Sequence, residues 1–422
     1  MKLSFYNHKF FLGAFASLFI YQPLFAVLTP EKVPARVIHL PVQIPIEGLT
    51  VESPIEILSD QSGKVVTTLD GRLQKGLQDF LTRNYNPIAS VVVVDAVTGH
   101  VLALVQGRDP RKWGSSVHTA LYTGFPAASV FKIVPAAAAL QVASVNPQAI
   151  TGLTGGCANV NPKGVWLRNT PPHKHQMISL ERAFAFSCNS FFAKLAVQQV
   201  GMGLIQKYAE RFGWGASIPA DFFIPESPIH IPEAASSDIQ TVGRFAAGFG
   251  TVGLSAVHAA WLNLAIANDG KPMPLRIFAR DGFSPLTAAR ENFFDEETSH
   301  KMRLMMHKTV SYGTARGTFR KRRYRKLVEH VGGKTGSLTV HTPQGRITWF
   351  AGLMPIDKPE VIVSSVVLND GNKWHIRGPD LAAEALWLWF QQRNYQFEKD
   401  RLESITKLDP DNPERLVQKV KF

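Results

Sequence analysis

The fold is decided around Gly124-Phe125-Pro126-Ala127-Ala128-Ser129-Val130-Phe131-Lys132, where a long apolar helical pattern over residues 129–142 begins. Ser129 and Lys132 are three residues apart, so both side chains are expected on one helix face. A lysine in that place can take the serine proton if burial and cationic neighbours lower its pKa. At a helix start, the backbone N–H of Ser129 can also stabilise an oxyanion. The stretch therefore predicts a serine nucleophile with a lysine base.

The Ser-x-x-Lys pattern alone has little specificity. It recurs at Ser404-Ile405-Thr406-Lys407, and a serine near a helix start usually only caps the helix. Two further motifs give it a context, namely Ser187-Cys188-Asn189 between predicted helices and Lys334-Thr335-Gly336 on a predicted strand. A second Ser-x-Asn copy at Ser144 falls at the end of the helix that Ser129 starts. The order and setting of the three motifs, rather than any one of them, predict a catalytic site.

Apolar patterns place strands near both ends of the chain and helices between them. A hairpin is predicted over residues 89–106, and later strands over 334–339, 346–354 and 361–368. Helices are predicted over residues 129–142, 179–200, 254–268 and 379–393. This order predicts an α+β fold, in which an antiparallel sheet built from the sequence extremes is flanked by helices and carries an inserted all-helical subdomain.

The N-terminal residues have the pattern of a secretory signal. A short basic segment precedes an uncharged apolar run that ends near Ala26, where a small residue is typical of a cleavage site. Residues 1–26 are therefore predicted to be a signal peptide, with an uncleaved N-terminal anchor as the alternative. Export to the periplasm or to the outer face of the cytoplasmic membrane follows. Cys157 and Cys188 are too few for a disulfide scaffold or a cysteine-rich metal site, but they could form one disulfide in an oxidising compartment.

The formal net charge of +13 favours a polyanionic neighbour. Zinc-finger spacing and a glycine-rich phosphate loop are both missing from the sequence, so nucleic acid is not predicted. The basic run over residues 316–326 has two interpretations: a solvated loop, or a dock for an anionic wall polymer or lipid. The histidines are scattered without metal-ligand spacing, so neither a metal nor a cofactor is predicted.

The segments around these motifs resemble the penicillin-binding transpeptidase domain, which is related to the serine β-lactamases. The resemblance covers residues 67–395; residues 27–66 are left as an extended linker with short strands, and residues 396–422 as a charged C-terminal tail. Beyond the three motifs, it is carried by Phe212-Gly213-Trp214-Gly215, Gly313-Thr314-Ala315 and Trp349-Phe350-Ala351-Gly352, among other segments. The family's fold, a β-lactamase/transpeptidase-like sheet with flanking helices, agrees with the order predicted from the patterns.

The resemblance implies a role for each matching residue. Ser129 would attack the carbonyl of a D-alanyl-D-alanine stem peptide or of a β-lactam to form an acyl-enzyme, with Lys132 as the general base. Ser187 would relay the proton toward the leaving amine. Asn189 would hydrogen-bond Lys132 and the substrate's side amide, and Lys334 would supply positive potential.

The third motif and its surroundings would bind the substrate. Thr335 would bind the substrate carboxylate, and Gly336 would let the substrate lie against the strand because it lacks a Cβ. The N–H of Ser337 would complete the oxyanion hole with that of the nucleophile, and Ser337 and Thr339 would add hydroxyl contacts. Trp349, beside this motif, would line the groove, although aromatic side chains are more often part of a core.

The implied function is a cell-wall D-alanyl-D-alanine transpeptidase that binds peptidoglycan stem peptides and β-lactam antibiotics. Transfer to water would instead make it a D,D-carboxypeptidase, which the motifs do not distinguish. A class D-like β-lactamase is another alternative, because the first motif of the class D enzymes resembles Ala128-Ser129-Val130-Phe131-Lys132. Their second motif is Ser-x-Val, however, and this chain has Ser187-Cys188-Asn189 in that place. A non-enzymatic β-lactam or muropeptide sensor, or a divisome or elongasome scaffold, is the alternative of another class.

Overall fold

The computed structural model describes most of the chain from residue 55 onward. The described residues are 40, 55–59, 63–84, 88–108, 118–158, 160, 165–167, 176–231, 238–279, 291–341, 344–370 and 375–408. All of them belong to a compact unit that spans Arg36–Phe422. The predicted signal segment lies outside the described residues. Within the described part of the chain, every helix is too short or too polar to cross a membrane.

The strands of the described residues fall into one large sheet and three short two-stranded pairs. In chain order they are β1 (Glu56–Ser59), β2 (Gly63–Val66), β3 (Ile88–Asp95), β4 (Val101–Arg108), β5 (Ile150–Leu153), β6 (Gln176–Ser179), β7 (Ile229–His230), β8 (Thr251–Val252), β9 (Gly332–His341), β10 (Gln344–Met354) and β11 (Val361–Asn369).

The helices lie mostly between the two groups of sheet strands. In chain order they are α1 (Gly71–Arg83), α2 (Ile133–Gln141), α3 (Leu180–Ala185), α4 (Asn189–Leu195), α5 (Met202–Arg211), α6 (Ile239–Ala246), α7 (Ala256–Ala267), α8 (Glu296–Ser311), α9 (Arg316–Phe319) and α10 (Gly378–Leu408). Short 3₁₀ segments occur at Ala128–Lys132, Val165–Leu167 and Arg325–Leu327, and a π-helical turn at Ala196–Val200.

The large sheet has the strand order β4-β3-β11-β10-β9, and all neighbouring strands are antiparallel. β3 and β11, the interior strands that join the two ends of the chain, are rich in valine and almost wholly buried. Such β-branched runs suit a strand that is covered on both faces. The predicted α+β fold, with one sheet built from the sequence extremes, is confirmed. β9 lies at the edge of this sheet, so one side of its backbone is open to other groups.

Helices cover both faces of the sheet. Val92 and Val94 of β3 belong to a large apolar cluster with α2, α7 and the helical insertion. Val91 and Val93, which point to the opposite face, pack instead with α1 and the first turns of α10. Alternate residues of one strand therefore serve two separate cores.

Two predicted helices have different bounds in the structure. The helix predicted over residues 179–200 is interrupted between α3 and α4, because Ser187 has a φ of +56°, a left-handed conformation that ends a helix. The prediction failed here because the apolar pattern continues across the break. The last helix, predicted to end at Arg393, continues to Leu408, so Ser404 lies within α10.

Candidate active site

Ser129 and Lys132 lie on the 3₁₀ turn Ala128–Lys132 that leads into α2. A 3₁₀ helix has three residues per turn, so positions i and i+3 are eclipsed. The Lys132 Nζ accordingly lies 2.7 Å from the Ser129 Oγ. It also lies 2.9 Å from the Asn189 Oδ1 and 2.5 Å from the carbonyl oxygen of Ala247. A hydroxyl, an amide oxygen and a backbone carbonyl thus surround the amine.

A glycine places the Ala247 carbonyl against this turn. Gly248 has a φ of +89°, and a Cβ there would lie 2.3 Å from the carbonyl oxygen of Ala128. Ala128 itself has a φ of +48°. The loop after α6 can therefore press against the start of the nucleophile helix only with glycine at position 248.

Lys132 is fully buried. Burial lowers the pKa of its amine well below the ordinary value of 10.5, and the nearby charge of Lys334 lowers it further. Removing an ammonium ion from water penalises the charged form, and a second cation adds repulsion. A lowered pKa is what the predicted role of Lys132 as a base toward Ser129 requires.

The second motif occupies the break between α3 and α4. Cys188 forms a disulfide with Cys157, and the neighbouring Ser190 donates a hydrogen bond to the Gly156 carbonyl at 2.7 Å. The residue between Ser187 and Asn189 is therefore covalently tied to the segment after β5. This tie holds the left-handed turn from which Ser187 and Asn189 extend in different directions.

Lys334 connects the second and third motifs. Its Nζ lies 3.0 Å from the Ser187 Oγ and 2.9 Å from the backbone carbonyl oxygen of Thr335. Lys334 is fully buried, and burial lowers its pKa to about 7. Its charge can thus change near neutral pH, whereas an exposed lysine stays charged.

At Gly336, the edge strand β9 packs directly on the 3₁₀ turn that carries Ser129. A Cβ at this position would lie 3.1 Å from the Val130 Cγ2 and 3.2 Å from the Ala127 carbonyl oxygen. Opposite it on β10, Trp349 is fully buried and donates its indole N–H to the Pro126 carbonyl at 2.9 Å. Trp349 therefore contributes to the wall of the groove mainly as a brace between β10 and the segment before Ser129.

A cavity of about 680 Å³ opens between the nucleophile turn, β9 and the start of α10. Its lining includes two of the predicted catalytic residues, Ser129 and Ser187. It also includes four of the five predicted substrate-binding residues, namely Thr335, Gly336, Ser337 and Trp349. Lys132 and Lys334 lie behind this surface and contact the lining residues Ser129 and Ser187 through hydrogen bonds, and Asn189 accepts from Lys132. Thr339 is exposed, pairs with Arg346 of the neighbouring strand β10 and lies outside the cavity lining.

The structure adds residues that the sequence did not single out. Thr314 lies 2.5 Å from Thr335, hydroxyl to hydroxyl, and Arg346 donates to the Ser337 hydroxyl at 3.0 Å. Thr314 belongs to Gly313-Thr314-Ala315, one of the segments that carry the family resemblance, so the sequence could have indicated it as a site residue. The contribution of Ala247 is a backbone carbonyl, which side-chain patterns do not show.

Among the described residues, no group of three or more His, Cys, Asp or Glu side chains is arranged to hold a metal ion.

The model of the penicillin binding protein transpeptidase domain matches residues 89–385, and this chain belongs to that family. Among curated proteins, it is 24% identical over 360 residues to the peptidoglycan D,D-transpeptidase PbpA of Mycobacterium tuberculosis (strain ATCC 25618 / H37Rv), covering 76% of this chain and 71% of the relative. It is 25% identical over 359 residues to PbpA of Mycolicibacterium smegmatis, again covering 76% of this chain and 71% of the relative.

Solved structures show the same fold. The D,D-transpeptidase domain of a peptidoglycan glycosyltransferase from Eggerthella lenta has a TM-score of 0.62 at 21% identity, covering 80% of this chain and 89% of that one. The imipenem acyl-enzyme complex of penicillin-binding protein A from M. tuberculosis has a TM-score of 0.61 at 20% identity, covering 77% and 79%. The family resemblance and the fold expected from it are confirmed.

The contact at Gly336 predicts that Gly336→Ala lowers the rate of acylation by at least about tenfold, because the new methyl group displaces β9 from the nucleophile helix and small misplacements cost much in rate. The rate of labelling by a fluorescent penicillin measures this effect. Gly203→Ala is the matched control, since a Cβ there meets nothing within 4 Å. Equal labelling rates in the two variants would show that the contact at β9 does not position the site.

The burial of Lys334 predicts a pH dependence of stability. Its folded-state pKa of about 7 lies below the ordinary 10.5, so between these values only the unfolded chain holds the proton. This lysine therefore makes the free energy of unfolding rise with pH over that range, by about 2–3 kcal/mol between pH 7 and 9.5. Lys334→Met should remove this part of the rise in urea titrations at the two pH values.

Lys271→Met, at an exposed lysine, is the control for this measurement and should leave the rise of the wild type intact. A Lys334→Met protein with the same rise as the wild type would mean that Lys334 is not desolvated in solution.

Proposed function

We propose that this chain is a cell-wall peptidoglycan D-alanyl-D-alanine transpeptidase, which works through an acyl-enzyme on Ser129 and is acylated by penicillins. The observation that carries the proposal is the 2.7 Å contact between the Ser129 Oγ and a fully buried Lys132 amine at the wall of the cavity. Membership in the family and the names of the curated relatives support the reaction class.

In the acylation step, Lys132 takes the proton of Ser129 while the Oγ attacks the carbonyl of the penultimate D-alanine. The N–H groups of Ser129 and Ser337 stabilise the oxyanion, because one lies at a helix start and the other on an edge strand. Ser187, held by Lys334, relays a proton to the departing amine. Asn189 keeps Lys132 in place and binds the side amide of the substrate.

The third motif binds the stem peptide. The hydroxyls of Thr335 and Thr314 bind the terminal carboxylate, and Lys334 behind them supplies positive potential. Gly336 gives the substrate close access to the strand, and Ser337 adds a hydroxyl contact. Thr339 lies on the same strand face two residues beyond Ser337, where a longer stem peptide would reach it.

The surroundings of the acyl-enzyme disfavour rapid hydrolysis. A β-lactamase needs a base that activates water, and the groups around Lys132 are a hydroxyl, an amide oxygen and a carbonyl. The carboxylate in the cavity lining, Asp380, is bound by Lys321 and Arg377. These contacts favour aminolysis or slow hydrolysis over the class D-like alternative.

The place of action would be the outer side of the cytoplasmic membrane. Residues 1–26 would direct export to the periplasm or remain as an anchor in that membrane. The disulfide between Cys157 and Cys188 supports an oxidising compartment, since such bonds are rare in the cytosol.

Ser129→Ala is expected to abolish both labelling by fluorescent penicillin and turnover of a stem pentapeptide, because the nucleophile is lost. Mass spectrometry of the pentapeptide reaction, with and without an amine acceptor, identifies the transferred and hydrolysed products. Ser404→Ala is the matched control, since Ser404-Ile405-Thr406-Lys407 repeats the sequence pattern outside the site.

The outcomes separate the alternatives. An amine-dependent cross-linked product supports transpeptidation, and a hydrolysed product alone identifies a carboxypeptidase. Labelling without turnover of any peptide indicates a sensor, and labelling that survives in Ser129→Ala contradicts the proposed nucleophile.

The basic run of residues 316–326 would add a dock for an anionic wall polymer or lipid. Lys321 and Arg323 bind Asp380 and Glu384 of α10, at 2.6 and 2.7 Å. The remaining cations of the run are exposed, and they are Arg316, Arg320, Arg322, Arg325 and Lys326. The acidic residues of α10 thus hold the run in place while the exposed cations remain available to an anionic surface.

Arg322→Gln combined with Arg325→Gln is expected to weaken binding to isolated sacculi and to anionic vesicles by about tenfold or more, because each cation near an anionic surface adds to the attraction. Cosedimentation at low and high salt measures this binding. Lys207→Gln combined with Lys271→Gln removes two exposed charges elsewhere and should change it little. Salt-insensitive binding, or equal losses in both double variants, would contradict the dock.

A further inference from the structure

The cavity beside the nucleophile has a cationic half that the reaction described above does not use. Its lining includes four basic side chains and one acidic side chain, namely Lys321, Arg346, His375, Arg377 and Asp380. They lie on β10, on the segment after α9 and around the start of α10.

Arg377 is held in the wall of the cavity from two sides. The following residue, Gly378, donates its backbone N–H to Thr348 at 2.9 Å, and Thr348 pairs with Ser337 across the strands. The Arg377 guanidinium donates to the Thr318 hydroxyl at 3.1 Å. Thr318 lies four residues after Thr314, which contacts Thr335. Arg377 therefore lines the same cavity as Thr314 and Thr335, the hydroxyls proposed to bind the substrate's terminal carboxylate.

The charges of this cluster leave an excess of positive charge in the cavity. Asp380, whose side chain is only 8% exposed, accepts from Lys321 at 2.6 Å and from Arg377 at 3.2 Å. One carboxylate thus neutralises one of two cations. The Lys321 and Arg377 side chains remain 52% and 45% exposed, so both can also reach an anion in the cavity.

The chemistry of transfer indicates which anion would occupy this position. The leaving group of acylation is D-alanine, an amine whose own carbon carries a carboxylate. An acceptor amine must approach the acyl carbon along the path by which that amine departed. A subsite that holds the carboxylate of the leaving group is therefore also suited to an acceptor that carries a carboxylate on the carbon next to its amine.

We propose that Arg377, supported by Lys321, binds the carboxylate of the acceptor, so that the enzyme selects acceptors with an α-amino acid end over isolated alkyl amines. This inference rests on the proposed acyl-transfer function. In the step itself, a C–N bond forms and the ester bond between the acyl carbon and the Ser129 Oγ breaks. The amine gives a proton to Lys132, and Lys132 returns one to the Oγ.

The test measures how the acyl-enzyme partitions between transfer to an acceptor and hydrolysis, with each of two matched acceptors in turn. The full-length protein is acylated with an N-acyl-D-alanine ethyl thioester, whose leaving group brings no carboxylate into the cavity. D-alanine or D-alaninamide is then supplied, and the ratio of transfer to hydrolysis is measured by mass spectrometry. Arg377→Gln is compared with Arg377→Lys and with Arg393→Gln. The last variant removes an ion-paired arginine of α10 that is exposed and is not part of the cavity lining.

Arg377→Gln should reduce transfer to D-alanine by about tenfold, as expected for loss of a charge-assisted hydrogen bond. Transfer to D-alaninamide should change by less than about twofold. Arg377→Lys should restore part of the preference, and Arg393→Gln should match the wild type. A wild-type protein that is acylated but shows the same loss for both acceptors in Arg377→Gln, or no loss, overturns the inference. A wild-type protein that neither reacts with the thioester nor is labelled by penicillin overturns the proposed function instead.

Discussion

The site depends on keeping two lysines out of water. Lys132 and Lys334 are both fully buried, and the oxygen atoms that contact them belong to neutral groups: two serine hydroxyls, the Asn189 amide and two backbone carbonyls. A buried ammonium ion without a carboxylate partner is unfavourable, so the pKa of each amine falls. The stability lost by this burial gives Lys132 the lowered pKa that its proposed role as a base beside Ser129 requires.

The architecture supplies those oxygen atoms from distant parts of the chain. The nucleophile turn provides Ser129, the interrupted helix provides Ser187 and Asn189, and the loop after α6 provides the Ala247 carbonyl. β9, at the edge of the sheet, brings Lys334 up to the same place. Two local devices make the approach close enough: glycine at position 248 against the nucleophile turn, and the disulfide at Cys188 that fixes the second motif.

The apolar sequence patterns predicted the helices and strands more accurately than the breaks within them. The valine-rich strands, and the hairpin that contains the first of them, were evident because their periodicity and turn residues are local. The break at Ser187 was missed because an apolar pattern cannot show a single residue with positive φ. Trp349 was expected to line the groove. In the structure its indole bonds to the Pro126 carbonyl, a partner that becomes a neighbour only when β10 meets the nucleophile segment.

The sequence by itself determined the α+β order, the three motifs and the family to which the chain belongs, because all of these are written in residue type and local spacing. Only the tertiary structure decided that Lys132 is surrounded by neutral oxygen atoms and that Arg377, Lys321 and Asp380 meet in the nucleophile's cavity. Burial and charge balance at a point in space depend on residues far apart in the chain. No pattern along a single segment therefore encodes them.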